Sequence, residues 1–311
     1  MKTFADEHAF SKTELKTLKE IAKGNYELSK IQTTLNIKPP RLTYTLKKLQ
    51  TKDIIKITRK GAKKQVAFSS TKHAILLKSL LSIYDYVDWE NILNDQAIKI
   101  LKQIATNSNK QTNVARNTLW RYTKNFKSRG IITQENKINT QFKDLTEFLT
   151  EYQNFFAQKI TDEISDNSVI LWQHDSELLI KTTKTAKAPN NKFQKTATSI
   201  FPHHDLPLFS NFDFYFYSTT KKILKPEDAI LHTLLLEQGN VRYSTYALLL
   251  LKKMEKQIDQ TYLLREATHY GLENQVKQML EFLQTHTHPD KQQLPTWENF
   301  AEKAHEYGVM T

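Results

Sequence analysis

"IKPPRLTYTLKKLQTKDIIKITRKGAKKQVAF", Ile37 to Phe68, contains ten lysines and arginines and one acid, Asp53, so this short stretch carries nine of the chain's twelve net positive charges. Leu42, Leu46 and Leu49 stand at i, i+4 and i+7 and share one face of a helix. Pro39 and Pro40 suit its first turn, where a missing N–H costs nothing. Arg41, Thr43, Tyr44, Lys47 and Lys48 then point away from the leucines, and the helix is expected to stop near Lys52. Ile54–Thr58 and Gln65–Ser69 are rich in β-branched and apolar residues, with "RKGAKK" between them. That pattern reads as a hairpin whose tip carries Arg59, Lys60, Lys63 and Lys64.

Two further helices are expected upstream. Ser11 and Glu14 have the spacing of a capping box, ahead of an apolar face made by Leu15, Leu18 and Ile21 that ends near Gly24. "YELSKIQTTLNI" gives a second short helix with Leu28, Ile31 and Leu35 inward. The order helix, helix, helix, hairpin over residues 10–82 resembles winged-helix repressors of the kind that control small operons. The resemblance implies that the third helix enters the major groove of double-stranded DNA. There Arg41, Thr43, Tyr44, Lys47 and Lys48 would lie near base edges, with Arg59, Lys60, Lys63 and Lys64 on phosphates. The plainer alternative is a solvated basic face.

The rest of the chain narrows the classes. Its 311 residues suit two or three domains. A net charge of +12 and a pI of about 9.4 favour a polyanionic partner. There is no cysteine, which excludes disulfides and thiol chemistry and fits a cytoplasmic protein. The opening "MKTFADEHAF" lacks the apolar core of a signal peptide. The longest apolar run, "ALLLL" at 247–251, is far short of a membrane span. Six glycines without a cluster leave no phosphate-cradling loop.

The pattern recurs. "NTLWRYTKNFKSRGII" at 117–132 aligns with "PRLTYTLKKLQTKDII" at an offset of 77, placing Leu119 on Leu42, Phe126 on Leu49 and Arg121 on Tyr44. Ile98, Leu101 and Ile104 mark a first helix for this copy. Its middle helix must be short or irregular, and its wing, "TQENKINT", carries Glu135 as well as Lys137 and has no basic tip. Arg116, Arg121, Lys124, Lys127 and Arg129 still make the helix basic, so this copy is expected either to touch DNA or to serve as a packing or dimerisation domain. Two amphipathic helices flank it. "TKHAILLKSLLSIYDYVDW" is expected to present Ile75, Leu76, Leu80 and Ile83 on one broad face. "FKDLTEFLTEYQNFFAQKI" places Phe142, Leu145, Phe148, Leu149, Tyr152, Phe155, Phe156 and Ile160 at helical spacing. Each serves as a homodimer seam or packs the two modules together.

Composition shifts near Asp166. "SVILWQHDSELLIKT" reads as two strands joined at "HDSE", "TATSIF" and "SNFDFYFYS" as further strands, and "TAKAPNNK" as a polar loop. Beyond Pro226 the spacing is helical through "ILHTLLL", "RYSTYALLLLKKM", "TYLLREATHYG", "ENQVKQMLEFLQ" and "TWENFAEKAHEYG", with Thr296 as a cap. Four segments over 169–284 resemble the C-terminal domain of AbiEi-type antitoxins: "ILWQHDSELLIKT", "DAILHTLLL", "RYSTYALLLLKK" and "EATHYGLENQVKQMLEFL". The resemblance implies an autorepressor whose C-terminal domain meets a protein partner, with no catalytic residue.

Enzymatic alternatives fail on spacing. Glu177 and Lys181 are too far apart for the Glu-x-Lys of a restriction-type nuclease. Asp213 lacks the second carboxylate that would hold a metal for nucleotidyl transfer. His203–His204–Asp205 sits in a loop, and adjacent residues rarely ligate one ion. His232, His269 and His286 are expected to be structural. The expectation is therefore an α+β chain without cofactor or metal. It comprises a winged helix over 1–84, a second, degenerate one over 85–165, and an α/β interaction domain over 166–311 with a small sheet plus helices. Residues 1–165 hold a net charge of +13, which leaves −1 for the remainder. The expected function is sequence-specific DNA-binding transcription regulation, of the antitoxin-type autorepressor kind. The rivals are a plasmid or replication-maintenance protein and a nucleic-acid-processing enzyme.

Overall fold

The computed structural model describes residues 9–61, 63–105, 114–174, 176–184, 192–219, 223–287 and 293–310, with only the backbone of Lys60 and Asp95. The chain is mixed helix and sheet. It divides into two compact units, Met1–Phe156 and Ala157–Thr311. Among the described residues no helix is long and apolar enough to cross a membrane.

The first unit begins with α1 (Lys12–Ala22), α2 (Leu28–Leu35) and α3 (Pro39–Thr51), followed by the antiparallel hairpin β1 (Ile55–Lys60) and β2 (Lys63–Phe68). Ser11 Oγ accepts from the Glu14 amide at 3.2 Å, and the Glu14 carboxylate accepts from the Ser11 amide at 2.6 Å, closing the capping box. Leu15, Leu18, Ile21, Ile31, Leu42, Leu46 and Leu49 are all buried in one core with Ile55 and Val66. Asn36 ends α2 in the left-handed region at φ 47°. The strands run further toward the tip than composition suggests. Arg59, Lys60, Lys63 and Lys64 lie within the ladder, and Gly61, the next described residue after β1, has φ 63°. Long cationic side chains are compatible with a strand when their heads stay in water, and a positive φ at the first loop position is what a tight hairpin needs.

Next come α4 (Lys72–Ile83), α5 (Trp89–Ile92), α6 (Asp95–Ala105), α7 (Arg116–Ser128) and α8 (Lys143–Thr161). α4 corrects the expected face. It buries His73, Ala74, Leu77, Leu80 and Leu81 and leaves Ile75 and Ile83 exposed. The segment is apolar on nearly every side, so periodicity cannot select the inner face; packing against α1 and β2 does. α7 has 13 residues, like α3, and begins 77 positions later. The second hairpin shrinks to one bridge, Ile132–Ile138, with Asn136 at φ 60° in the turn. The stretch 106–113, where the short middle helix is expected, lies outside the described residues. Leu145, Phe148, Leu149, Tyr152 and Phe156 of α8 join the same core as α1 and α3, so that face is occupied within the chain.

The second unit holds a four-stranded antiparallel sheet in the order β3–β4–β6–β5, from β3 (Val169–His174), β4 (Glu177–Thr183), β5 (Phe193–Lys195) and β6 (Phe212–Tyr217). "TATSIF" is not a strand. Ala197–His204 forms a 3-10 turn with Pro202 inside it, ending at Asp205 with φ 56°. Proline cannot donate to a ladder, which disfavours strand there. The polar loop at 185–192 lies outside the described residues apart from Lys192, as does Asp175 of the β3–β4 turn. Five helices follow: α9 (Pro226–Leu235), α10 (Val241–Lys253), α11 (Gln260–Tyr270), α12 (Glu273–Thr285) and α13 (Trp297–Glu306). Pro226 starts α9, Gly271 caps α11 in the left-handed region, and Thr296 Oγ1 accepts from the Asn299 amide. α9 is buried from Glu227 to Leu235 and forms the centre of this unit's core.

Candidate nucleic-acid interface

α3 shows two chemistries on two faces. Leu42, Thr45, Leu46 and Leu49 face the core, while Arg41, Thr43, Tyr44 and Lys47 are exposed and Lys48 is half-exposed. Tyr44 is 57% exposed, with the Lys48 ammonium 4.7 Å from its ring centroid. Arg41 Nη2 donates to Thr13 Oγ1 of α1 at 2.9 Å, which holds the guanidinium at the start of the helix. The Thr43 hydroxyl donates to the Pro39 carbonyl at 3.0 Å, so its oxygen remains an acceptor.

The hairpin register pairs cation with cation. Arg59 stands opposite Lys64, and Lys60 opposite Lys63. Directly opposed like charges destabilise a two-stranded ladder by roughly 0.2–1 kcal/mol per pair. Lys63 meets Glu27 at 3.1 Å, an exposed contact that contributes little. Arg59 and Lys64 are exposed; the Lys60 side chain lies outside what is described. The base of the hairpin is fixed to the domain, because the Val66 amide donates to the Tyr26 carbonyl at 2.9 Å.

One cation of the opening stretch is not at the surface. Lys52, the residue after α3, has its side chain 7% exposed against a 2% exposed Glu14, with Nζ 3.1 Å from Oε1. Its ammonium also donates to the Ala9 carbonyl at 2.5 Å and lies 4.6 Å from the Phe10 ring centroid. Burial lowers its pKa, and the Glu14 carboxylate opposes that shift. Composition counts Lys52 with the others, but it is a structural residue. Next to it His73 Nε2 meets the Lys52 carbonyl at 3.0 Å, and burial lowers the histidine's pKa.

On α7, Arg116, Arg121 and Lys124 are all exposed, with Trp120 between them at 63% exposure. Arg129, just beyond the helix, is paired to Asp88 at 3.0 Å. Lys127 donates to the Gln134 carbonyl.

The second unit gathers residues that are remote in sequence. Glu177 Oε2 lies 2.8 Å from His269 Nε2, and the Ser218 hydroxyl donates to Glu177 Oε1 at 3.3 Å. His232, fully buried, sits between Thr196 Oγ1 at 2.6 Å and the Tyr270 hydroxyl at 3.0 Å, stacked on Phe216. Burial, reinforced by the Glu177 charge, raises the Tyr270 pKa far above its usual value, so the phenol stays neutral. The strand, the turn and the two helices that bring these groups together have no common motif, so no linear spacing could have announced the cluster. His203 and His204, expected in a loop after a strand, instead close the 3-10 helix Ala197–His204, and Asp205 ends it in the left-handed region.

Residues 190–309 match a family model described as "HVO_2833_C:, C-terminal". No curated protein and no solved structure matches the chain at a significant level. The matched segment starts after β3 and β4, although β4 pairs with β6 along its length.

Proposed function

We propose that the first unit is a winged-helix module that binds double-stranded DNA, and that the chain is a sequence-specific transcription regulator of the antitoxin-autorepressor kind. α3 is the recognition helix, offering Arg41, Thr43, Tyr44, Lys47 and Lys48 to base edges. The hairpin is the wing, offering Arg59, Lys60, Lys63 and Lys64 to phosphates. α7, with Arg116, Arg121 and Lys124, is a second basic face. The near-neutral second unit takes a protein partner or a second copy of the chain.

The observation that carries this reading is the register of the hairpin, with Arg59 against Lys64 and Lys60 against Lys63 at a tight tip. A solvated surface has no need to oppose cations across a ladder, where they lower stability. A phosphate backbone removes that cost when it binds and releases its condensed counterions as it does so. The test is a salt titration of duplex binding with the full chain carrying Arg59→Gln, Lys63→Gln and Lys64→Gln together. The slope of log K against log salt should fall by about 2–3, near 0.9 for each phosphate no longer neutralised. An unchanged slope would remove the wing from the interface.

A further inference from the structure

We infer that α7 carries a stacking site for an unpaired base, so that this face takes single-stranded nucleic acid while α3 and the hairpin take duplex. It rests on the reading above only in taking the partner to be nucleic acid.

α3 and α7 are both 13 residues long and stand 77 positions apart, which gives a residue-by-residue correspondence. Leu42 corresponds to Leu119 and Leu49 to Phe126, both pairs on the inner side. Thr43, a small polar residue on the exposed face of α3, corresponds to Trp120. A threonine can hydrogen-bond a base edge in a groove, whereas an indole offers a broad π-face and one donor. The chemistry at the equivalent position has therefore changed from edge reading to face stacking.

Trp120 is 63% exposed, whereas the chain's other tryptophan in this unit, Trp89, is 2% exposed. The Lys124 ammonium lies 5.0 Å from the Trp120 ring centroid, and Arg116 and Arg121 are exposed beside it on the same helix. α7 has no Asp or Glu, and none of these three cations has a carboxylate partner among the described residues. One exposed ring with a lysine on its face, on a helix whose next guanidinium, Arg121, lies 5.3 Å from the Tyr122 ring centroid, is not an apolar patch for a protein partner. Cations that follow a backbone around an aromatic platform are the recurring composition of single-strand binding, in which each stacked base contributes independently of its identity. A paired base in a duplex has both faces covered by its neighbours, so the indole can stack only where a base is unpaired, or after the unstacking cost of a kinked duplex.

The experiment uses the full chain and a 15-residue oligothymidylate. Titration should quench the intrinsic fluorescence, and Trp120→Phe should remove most of that quench. Trp120→Ala should weaken oligothymidylate binding roughly 5- to 150-fold, the loss of one base–aromatic stack. Duplex affinity should change less than twofold, and the melting temperature should hold because the side chain packs on little. Equal loss for single strand and duplex, or a quench that survives Trp120→Phe, would overturn the assignment. So would a loss of self-association in sedimentation with oligothymidylate affinity intact, which would make the face an interface between copies. Failure of the wing variants to affect duplex binding would overturn the wing reading alone and leave the Trp120 quench as a separate result.

Discussion

At the hairpin tip, Arg59 stands opposite Lys64 with both side chains exposed. At the centre of the second unit, His232 is held between a threonine and a tyrosine hydroxyl with no access to solvent. Both regions are polar, and the difference lies in where the polar groups find their partners. His232 finds its partners inside the fold, so that cluster adds to stability and offers nothing outward. Arg59 and Lys64 have no carboxylate partner among the described residues, so their mutual repulsion is relieved by no acid of the fold, whereas the neighbouring Lys63 meets Glu27. The same contrast appears in the charge of the two units. The first has 28 Lys and Arg against 14 Asp and Glu, a net of +14, and the second has 17 against 19, a net of −2.

Lys52 is the exception within the basic stretch, and altering it should have the largest effect. Lys52→Met leaves the Glu14 carboxylate buried without its cation, which costs about 3–5 kcal/mol when one member of such a pair is removed. Chemical denaturation should show that loss in the first unit's transition, and adding Glu14→Gln should recover most of it. If Lys52→Met were as harmless to stability as a surface substitution, the division between structural and interface cations would fail.

His232→Leu tests the other side. Thr196 and Tyr270 each lose a buried partner, at about 1–3 kcal/mol per group. The second unit should melt earlier while duplex affinity stays constant. A parallel loss of duplex binding would show that the two units do not divide the work.

Arg41→Ala should weaken binding to a preferred duplex by about 1–3 kcal/mol and leave random duplex much less affected, if the guanidinium pairs with a base edge. Its hydrogen bond to Thr13 makes a positional role measurable too: Thr13→Val should produce a smaller loss in the same direction. A ratio of specific to random affinity unchanged by Arg41→Ala would take α3 off the base edges.

The smallest effect has the most informative sign. Replacing Arg59 and Lys64 with Thr removes one opposed pair and should stabilise the free protein by roughly 0.2–1 kcal/mol, while weakening its hold on duplex. A variant that lost both stability and affinity would mean that the tip contributes to the fold and not to an interface.

Much of the fold was legible in the sequence where local rules decide the outcome. The capping box at Ser11, the leucine stripe of α3, the proline starts of α3 and α9 and the left-handed Gly271 each depend on a few neighbouring residues, and each appears in place. The face of α4 was not legible, because Ile75 and Leu77 are equally apolar and only packing separates them. Pro202 argued against a strand at 196–201, yet the β-branched residues around it read as one. The Lys52–Glu14 pair and the Glu177–His269 pair join positions 38 and 92 residues apart. No periodicity carries such a link, so the burial of Lys52 could not be read from composition.

The pairing of β4 with β6 has a consequence for any attempt to dissect the chain. The recognisable family segment begins at residue 190, but β6 lies between β4 and β5, and β5 is only three residues long. A fragment cut at that boundary would expose nearly the whole of one edge of β6, with Phe214, Tyr215, Phe216 and Tyr217 along it. Bare edges of aromatic strands recruit other strands, so such a piece should precipitate in expression trials. One begun near Ala157 keeps the edge covered. The boundary that sequence comparison recognises is therefore not the boundary at which the polypeptide can be divided.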